Sequence, residues 1–474
     1  AEINRPEFSA VCRFLENWDP TRLTEYTLLE EVGTGFGVFQ IVGQKGHVHD
    51  LPRIWDWWTQ NLPTADAPVR GQCLITGETD VALARLHPKI KGVTGAQSAG
   101  ASIVSFNDTA YDSYGKSQSY NSPVGERAAA HYGDALNALL TGPQSPRHRI
   151  RIGDTTCAFW TAKRSTTEDI FAEILGAGSN APTETQDAAQ RARIERFLRA
   201  LRSGGNFADD QAPLDTPFYL LGLAPNAARL SIRFFHRATI DDLLARLRDH
   251  QRCIETVREF TAVNSKRPPD AEFPPVWQLL GQTARVSDEI PPLLGGALTR
   301  AIVTGSNYPE GLLTAVIRRI HADRQISYLR AALIKAVLVR NHQQTIPVML
   351  DTDQTDPAYL LGRLFSALEK TQEEAQPGIN ATIRDRFYSS ASATPSSVFP
   401  RLLRTYQHHL AKLNSGAKIT REKAVQDILA PIESSGFPAQ LSLKAQGIFA
   451  IGYYHQRKAF FTKKETAEAP TTQS

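Results

Sequence analysis

The side chains of this chain best suited to chemistry lie between Lys89 and Asn107, in the stretch KIKGVTGAQSAGASIVSFN. It joins two lysines (Lys89, Lys91), three glycines (Gly92, Gly95, Gly100), the amides of Gln97 and Asn107, and the Ser98 hydroxyl. Glycine admits backbone conformations closed to other residues and lets another molecule approach peptide N–H groups closely. Backbone donors beside lysine suit a phosphate, a nucleotide or a nucleic-acid strand. The enzyme patterns do not fit. No G-K-[ST] ending makes a Walker A loop, the glycines do not follow G-x-G-x-x-G, and GAQSAG lacks the first glycine of a nucleophile elbow. Two readings remain. One is a tight inter-strand connection that needs small residues for packing. The other is a loop seated against a nucleic-acid backbone or groove edge. There Lys89 and Lys91 neutralise phosphate, and Gln97, Ser98 and Asn107 reach base edges.

Other chemistry-bearing residues are less organised. IWDWW places Trp55, Trp57 and Trp58 together; aromatics can stack on bases, but the expectation is an apolar helix face packed in a core. His408 and His409 are adjacent, which does not put both on one helix face, so no metal site is expected. The acids of DTDQTD, from Asp351, read as a loop and helix N-cap rather than an acid–base pair. With no catalytic constellation and no cofactor motif, the expectation is a binder that is not an enzyme. A rival is a phosphate-ester or nucleotide hydrolase using the glycine loop with His87 as base, and a third reading is a scaffold that touches no DNA.

The charge pattern favours binding. Arg401 to Lys464 holds eleven Lys/Arg against three Asp/Glu, a surplus of eight, whereas the whole chain of 474 residues carries only +4. Such asymmetry marks a polyanion-binding face, with a solvated helix face as the plainer alternative. Arg401, Arg404, Lys412, Lys418, Arg421 and Lys423 would line a groove for a single strand. Tyr453, Tyr454, Phe460 and Phe461 read as packing residues of the same helices. The four cysteines lack C-x-x-C spacing, which excludes a zinc ribbon by pattern and suggests reduced thiols. No apolar run approaches the ~20 residues that span a bilayer, so a soluble, cytoplasmic protein is expected. The chain opens on Ala1 and holds one methionine, Met349, so upstream sequence is expected to be missing.

Periodicity then supplies the elements that must position these residues. RPEFSAVCRFLENW reads as an amphipathic helix, with Phe8, Val11, Cys12 and Leu15 on one side. FGVFQIVG, GQCLIT, ASIVSF, IRIGDTTCAFW, PFYLLGLA and ARLSIRFFH read as strands, the last alternating Leu230, Ile232 and Phe234 inward. SPVGERAAAHYGDALNALLTG reads as a helix closed by Gly142, and AAQRARIERFLRALRSGG as another. TAKRSTTED and GAGSNAPTETQD read as surface connections. From Thr239, an N-cap candidate, nearly everything is helical, including one long helix over PEGLLTAVIRRIHADRQISYLRAALIKAVLVRN. The fold class is α+β: a mixed N-terminal α/β region with short strands, then an all-helical C-terminal bundle. The expected divisions are 1–238, 239–348 and 349–464, with 465–474 a disordered tail.

At this point several long blocks acquire a likeness. CLITGETDVALARLHPKIKGVTGAQSAGASIVSFNDTAYDSYGKSQSYNSPVG, APNAARLSIRFF, DPAYLLGRLFSALEKTQ and LKAQGIFAIGYYHQRKAFF resemble, in the same order, blocks of the large subunit of type I-C CRISPR surveillance (Cascade) complexes. The resemblance spans Phe8 to Lys464. It implies a non-catalytic subunit beside the guide RNA and the hook-shaped and small subunits. Such a subunit recognises the protospacer-adjacent motif in double-stranded DNA, helps open the duplex and guides the displaced strand. It also docks the helicase–nuclease of this antiviral defence. The resemblance further implies that the C-terminal helices are like the separate small subunit, which can start internally, where Met349 stands. Within the first block, Lys116 and Asn121 join Lys89, Lys91, Gly92, Gly95, Gln97, Ser98 and Asn107 as expected DNA contacts.

Overall fold

The computed structural model describes residues 6–26, 37–60, 69–152, 154–163, 168–169, 171–172, 199–200, 203, 213–261, 268–432 and 436–461. The helix expected over AAQRARIERFLRALRSGG lies almost wholly outside them, and the GAGSNAPTETQD connection and the 465–474 tail wholly so. The chain forms an α+β region with short strands followed by a helical bundle, as its sequence pattern predicts. It divides into two compact units, residues 1–86 with 106–129, and residues 87–105 with 130–474. These boundaries follow the cores rather than residues 238 and 348, because one apolar cluster runs from Ile150 to Tyr454.

The first unit is built largely from turns. It holds α1 (Pro6–Asn17), α2 (Pro52–Gln60) and a two-stranded antiparallel ribbon, β1 (Arg70–Gly71) with β2 (Val81–Ala82). Its small core includes Val48, Ile54, Cys73, Leu83 and Val124. Residues 37–43 of the expected strand FGVFQIVG form no strand: Gly43, at φ +87°, ends a turn in which Gln44 N–H donates to the Ile41 carbonyl. GQCLIT likewise contributes only Gly71 to β1. Its remainder loops so that Gly77 N–H donates to Cys73 O and Cys73 N–H to Glu78 O. The helix α1 forms where its period demands, yet none of its described side chains is buried, and Leu15 is 57% exposed.

The second unit is organised by a six-stranded sheet in the order β3-β4-β8-β7-β6-β5. The strands are β3 (Lys89–Ile90), β4 (Ala101–Ser102), β5 (Arg149–Ile152), β6 (Thr155–Thr161), β7 (Pro217–Asn226) and β8 (Arg229–Thr239). IRIGDTTCAFW is thus a hairpin of two strands, and ASIVSF supplies only a two-residue one. The division of the chain falls inside α3 (Glu126–Thr141), which Gly142 closes by donating its N–H to Ala138 O. A short helix α4 (Ser145–His148) leads into β5. A bulge opposite Gly222/Leu223 inserts one residue into β8, so Phe234 pairs with Gly222 whereas Ile232 pairs with Leu223. The extra residue turns Phe234 to the face opposite Leu230 and Ile232, which undoes the simple alternation read from the sequence.

Helices cover the other side of β5–β8: α5 (Ile240–Ile254), α6 (Val276–Leu280), α7 (Pro292–Thr304), α8 (Glu310–Asp323) and α9 (Tyr328–Arg340). Thr239 caps α5 through a reciprocal box with Asp242, satisfying two orphan N–H groups. The single long helix expected from Pro309 to Asn341 is two, because Arg324 takes a left-handed φ of +58° and Ser327 restarts the chain as the N-cap of α9. The bundle continues with α10 (Pro357–Ala375), α11 (Ile383–Ala393), α12 (Pro395–Leu410), α13 (Ser415–Leu429) and α14 (Leu443–Phe461). Asp356 caps α10 as the DTDQTD reading expects, accepting from the N–H groups of Ala358 and Tyr359. The two longest of these helices, α10 and α14, cross almost backbone to backbone. A Cβ at Gly362 would lie 2.0 Å from Phe449 O, and one at Gly452 would lie 2.2 Å from Tyr359 O.

Candidate nucleic-acid interface

The glycine loop joins β3 to β4 and sits on the sheet. Each of its glycines has a local cause. Gly92 (φ +80°), Gly95 (φ +82°) and Gly100 (φ +93°) all occupy left-handed backbone. A Cβ at Gly92 would meet Thr141 Cγ2 at 2.7 Å, and one at Gly100 would meet Ile90 O at 3.0 Å. The peptide donors are also committed. Lys91 N–H donates to Asn137 Oδ1 (2.8 Å), Thr94 N–H to Thr156 Oγ1 (3.2 Å) and Gly100 N–H to Gln97 O (2.9 Å). The glycines therefore serve the tight connection, and the anion cradle first imagined from backbone donors loses these three. What the loop offers outward is its side chains: Lys89, Lys91, Gln97 and Ser98 are exposed. Val93 beneath them is buried with Leu221, Leu223 and Leu230. A fixed backbone thus presents two cations and two polar groups.

The other expected contacts fall in the first unit. Asn107 and Lys116 are exposed. Asn121 instead holds its own loop together, its Oδ1 accepting from Ser113 N–H (3.1 Å) and its Nδ2 donating to Lys116 O (2.9 Å) and Gln118 O (3.0 Å). Its carboxamide is a loop strut, which corrects the assignment to DNA. The same loop contains a residue that sequence reading missed. Ser113 and Lys116 close a tight turn whose apex is Tyr114 (φ +53°) and Gly115 (φ +69°), and Tyr114 is 98% exposed. Left-handed backbone is unfavourable for an aromatic residue, so Tyr114 marks a strained turn that holds its ring out to solvent. Positive φ cannot be read from residue type alone, though the dipeptide Tyr-Gly between polar residues is a turn signal.

IWDWW lies on α2, but its rings do not line a core. Trp55 is 62% exposed and Trp58 55%, Trp57 is half-buried, and among the helix's described side chains only Ile54 is buried. Immediately before it, His47, His49 and Asp50 gather around one carboxylate. His47 Nδ1 lies 3.2 Å from Asp50 Oδ2, and His49 Nε2 lies 3.5 Å from Asp50 Oδ1. This is the one group of metal-ligand type found among the described residues; it is exposed, and the sequence reading expected none. Cys73 accepts hydrogen bonds from Thr76 and Gly125, which hold its thiol down at about 7.

In the helical bundle the six expected cations part company. Arg421 reaches across to α10, donating to both carboxylate oxygens of Glu374 (2.8 and 2.7 Å) and lying 4.8 Å over the Phe460 ring. It is a packing strut, held by its neighbours rather than facing a strand. Arg457 is bound in the same way to Glu373, so part of the C-terminal surplus is neutralised by acids on α10 that precede the basic segment in sequence. Arg401, Arg404, Lys412, Lys418 and Lys423 are exposed. Arg401, Arg404 and Lys412, at spacings of three and eight, fall on one side of α12 and its end, along about 16 Å at 1.5 Å per residue. An open groove of about 850 Å³ beside Lys412 also contains Glu373 and Glu374, so cations do not line it alone. Tyr453 is buried as expected, its hydroxyl donating to the wholly buried Glu369 (2.6 Å), and Tyr454 is buried beside it.

His87, the base of the rival hydrolase reading, is buried with Nδ1 2.6 Å from Tyr132 Oη. Burial pushes the Tyr132 hydroxyl up to about 12. No helix among the described residues is long and apolar enough to cross a membrane.

A short-stranded α+β region that presents a lysine-flanked loop is joined in one chain to a partly basic helical bundle. Comparison with protein-family models identifies the family. The model for CRISPR-associated protein (Cas_Csd1) matches residues 1–461, and the chain belongs to that family, the large subunits of type I-C Cascade complexes. No curated protein matches the sequence.

Proposed function

We infer that this chain is the non-catalytic DNA-reading subunit of an RNA-guided surveillance complex. The observation that carries the reading is the family match over residues 1–461. The complex contains guide RNA with backbone, hook-shaped and small subunits. In it base pairing reads most of the target, so this protein needs only a short-motif reader and a positive path for the displaced strand. The exposed Lys89, Lys91, Gln97 and Ser98 support the first role, set on a backbone that packing keeps from yielding. They recognise the protospacer-adjacent motif in double-stranded DNA; Tyr114, Lys116 and Asn107, which belong to the other unit, offer DNA contacts of their own. Arg401, Arg404, Lys412, Lys418 and Lys423 guide the displaced strand, and the assembled subunit helps recruit the helicase–nuclease. It needs no cofactor. The buried, tyrosine-bonded His87 supports this reading over a hydrolase, since a general base must reach its substrate.

The test is duplex binding by the assembled complex. Gln97→Ala is expected to reduce motif discrimination about tenfold, a lost contact to a base edge being worth roughly 1–3 kcal/mol, and Lys91→Ala to weaken duplex binding through a lost phosphate contact, both leaving assembly unchanged. Discrimination that survives substitution of all four exposed loop side chains would overturn the loop assignment. Charge reversal at Arg401, Arg404 and Lys412 is expected to flatten the dependence of affinity on salt. Turnover by the isolated chain, lost on replacing His87, would replace the reading with the hydrolase.

A further inference from the structure

The sheet that carries the glycine loop has a second feature that no expected contact uses. Its four antiparallel strands β5–β8 hold five arginines (149, 151, 229, 233 and 237), of which Arg233 is paired with Asp154 at the β5–β6 turn (3.0 Å) and Arg149 donates to Leu140 O. Register assigns the faces. Trp160 pairs with Tyr219, Tyr219 with Arg237, Leu221 with Phe235 and Leu223 with Ile232, so these side chains share one face. At one end of that face Leu223 and Leu230 are covered by the glycine loop and α3, through Val93, Leu136 and Leu140. Towards the other end the cover stops. Phe235 is 58% exposed and Ile232 51%, while Trp160 and Tyr219 are half-buried.

The rings there form a ladder across three strands. Trp160 and Tyr219 stack at 5.3 Å with planes 16° apart, and Tyr219 and Phe235 lie 6.4 Å apart at 24°. The Arg237 guanidinium lies 5.9 Å from the Tyr219 ring centre. A sheet face that sets Arg237 beside partly open aromatic rings matches a polyanion whose unpaired bases offer flat faces. It does not match an apolar protein surface, which would leave the guanidinium without a counter-charge.

We propose that Trp160, Tyr219 and Phe235 form a stacking platform for unpaired nucleotides, with Arg237 contacting a phosphate of the same strand. The platform lies about 20 Å from the glycine loop along β7, counting from Tyr219 to Pro225 at roughly 3.3 Å per residue. A strand leaving the loop would therefore run about three nucleotides along the face before reaching the rings. The ligand is single-stranded nucleic acid, and guide RNA and displaced DNA share the chemistry the rings read. This inference rests on the nucleic-acid reading above but concerns residues that reading does not use.

The test uses the full chain and two probes of about 12 nucleotides, oligo(dT) and oligo(rU), with a motif-containing duplex as control. Phe235→Ser is at an exposed position and Tyr219→Ser at a half-buried one; Phe235→Ser, which spares the fold, is decisive. It is expected to weaken single-strand binding about tenfold, change duplex binding less than twofold and leave the salt slope unaltered. Arg237→Ala should instead lower the slope by about 0.7. Preference between oligo(dT) and oligo(rU) tells displaced strand from guide. Photocrosslinks from halogenated bases should map to Trp160, Tyr219 or Phe235. The proposal is overturned if Phe235→Ser leaves both probes bound as before, or if it only removes a copurifying protein subunit, which would make the face a protein interface. Loss of duplex discrimination in the loop variants with no effect of Phe235→Ser would sink the platform alone; failure of every probe to bind sinks the nucleic-acid reading itself.

Discussion

Two helices with amphipathic sequences, α1 in the first unit and α10 in the second, meet opposite fates. Along α1 none of the described side chains is buried, and Phe14 and Leu15 are 50% and 57% exposed. Along α10, thirteen of nineteen residues are buried, two of them charged, Arg363 and Glu369. Local pattern is comparable; what differs is a partner. α10 lies against α14 through glycines at both crossing points, and its buried Glu369 accepts from Tyr453 Oη and Thr382 Oγ1. Helical stability comes mostly from such tertiary packing rather than from propensity. The second unit therefore forms a packed frame, while the described residues of the first leave apolar and aromatic side chains exposed.

The most forceful way to break this contrast is at the α10–α14 crossing. Gly452→Leu must drive a side chain into the Tyr359 carbonyl, whose oxygen lies 2.2 Å from the position of a Cβ. The helices can separate only by giving up the buried contacts of both. We expect a loss above about 4 kcal/mol, the scale reserved for core disruption, seen as collapse of the cooperative denaturant transition. A variant that unfolds within about 1 kcal/mol of the parent would mean the crossing is not the frame's closest seam.

How much of this was readable beforehand follows the same division. Features set by a few neighbouring residues were legible: the Thr239 cap, the Asp356 cap and Gly142 ending α3. The break at Arg324 was missed although Asp323 and Ser327, both cap-forming types, flank it, because apolar periodicity continues through the gap. Features set by distant partners were not legible. The bulge that turns Phe234 over depends on pairing with β7, and the aromatic ladder exists only in the register of three strands. Exposed Trp55 and Trp58 have the composition of a core, and only the absence of burial reveals them. Charge counting found the basic C-terminal segment but could not tell that Arg421 and Arg457 answer acids on α10. In the glycine loop the sequence points to side chains that lie exposed, Lys89, Lys91, Gln97 and Ser98; it does not point to the exposure of Tyr114 or to the ring ladder, which depend on backbone conformation and strand register.

Acid provides a gentler probe of the frame. His455 is buried between Thr256 and Tyr359, with ring nitrogens 3.1 and 3.0 Å from their oxygens; burial first, then Lys335, lowers its pKa to about 4. His250, beside Tyr308, is lowered to about 3 by burial. A base whose folded pKa is depressed is protonated first in the unfolded chain. Stability is therefore full above pH 6.5 and falls as pH drops towards 4. At about 1.36 kcal/mol per unit, His455 alone accounts for roughly 3 kcal/mol over that range. Urea unfolding at pH 7.5 and 5 should differ by about 2 kcal/mol through His455, the part of that range above pH 5, and His455→Gln should lower stability at neutral pH while shrinking the difference. An unchanged difference in that variant would place the acid sensitivity elsewhere.

The smallest expected effect is the sharpest test of the contrast, because it predicts almost nothing. Phe14→Ser and Leu15→Ser remove large apolar side chains that elsewhere in this chain would cost 2–5 kcal/mol or so. On α1 they start half or more exposed, so their removal should change stability by no more than about 0.5 kcal/mol in denaturant unfolding. If the side chains are kept for a partner, the same substitutions should weaken co-purification with the guide-containing complex. A loss of stability as large as that of a core substitution would show instead that α1 is held by contacts of its own, and the two halves of the chain would be alike in kind.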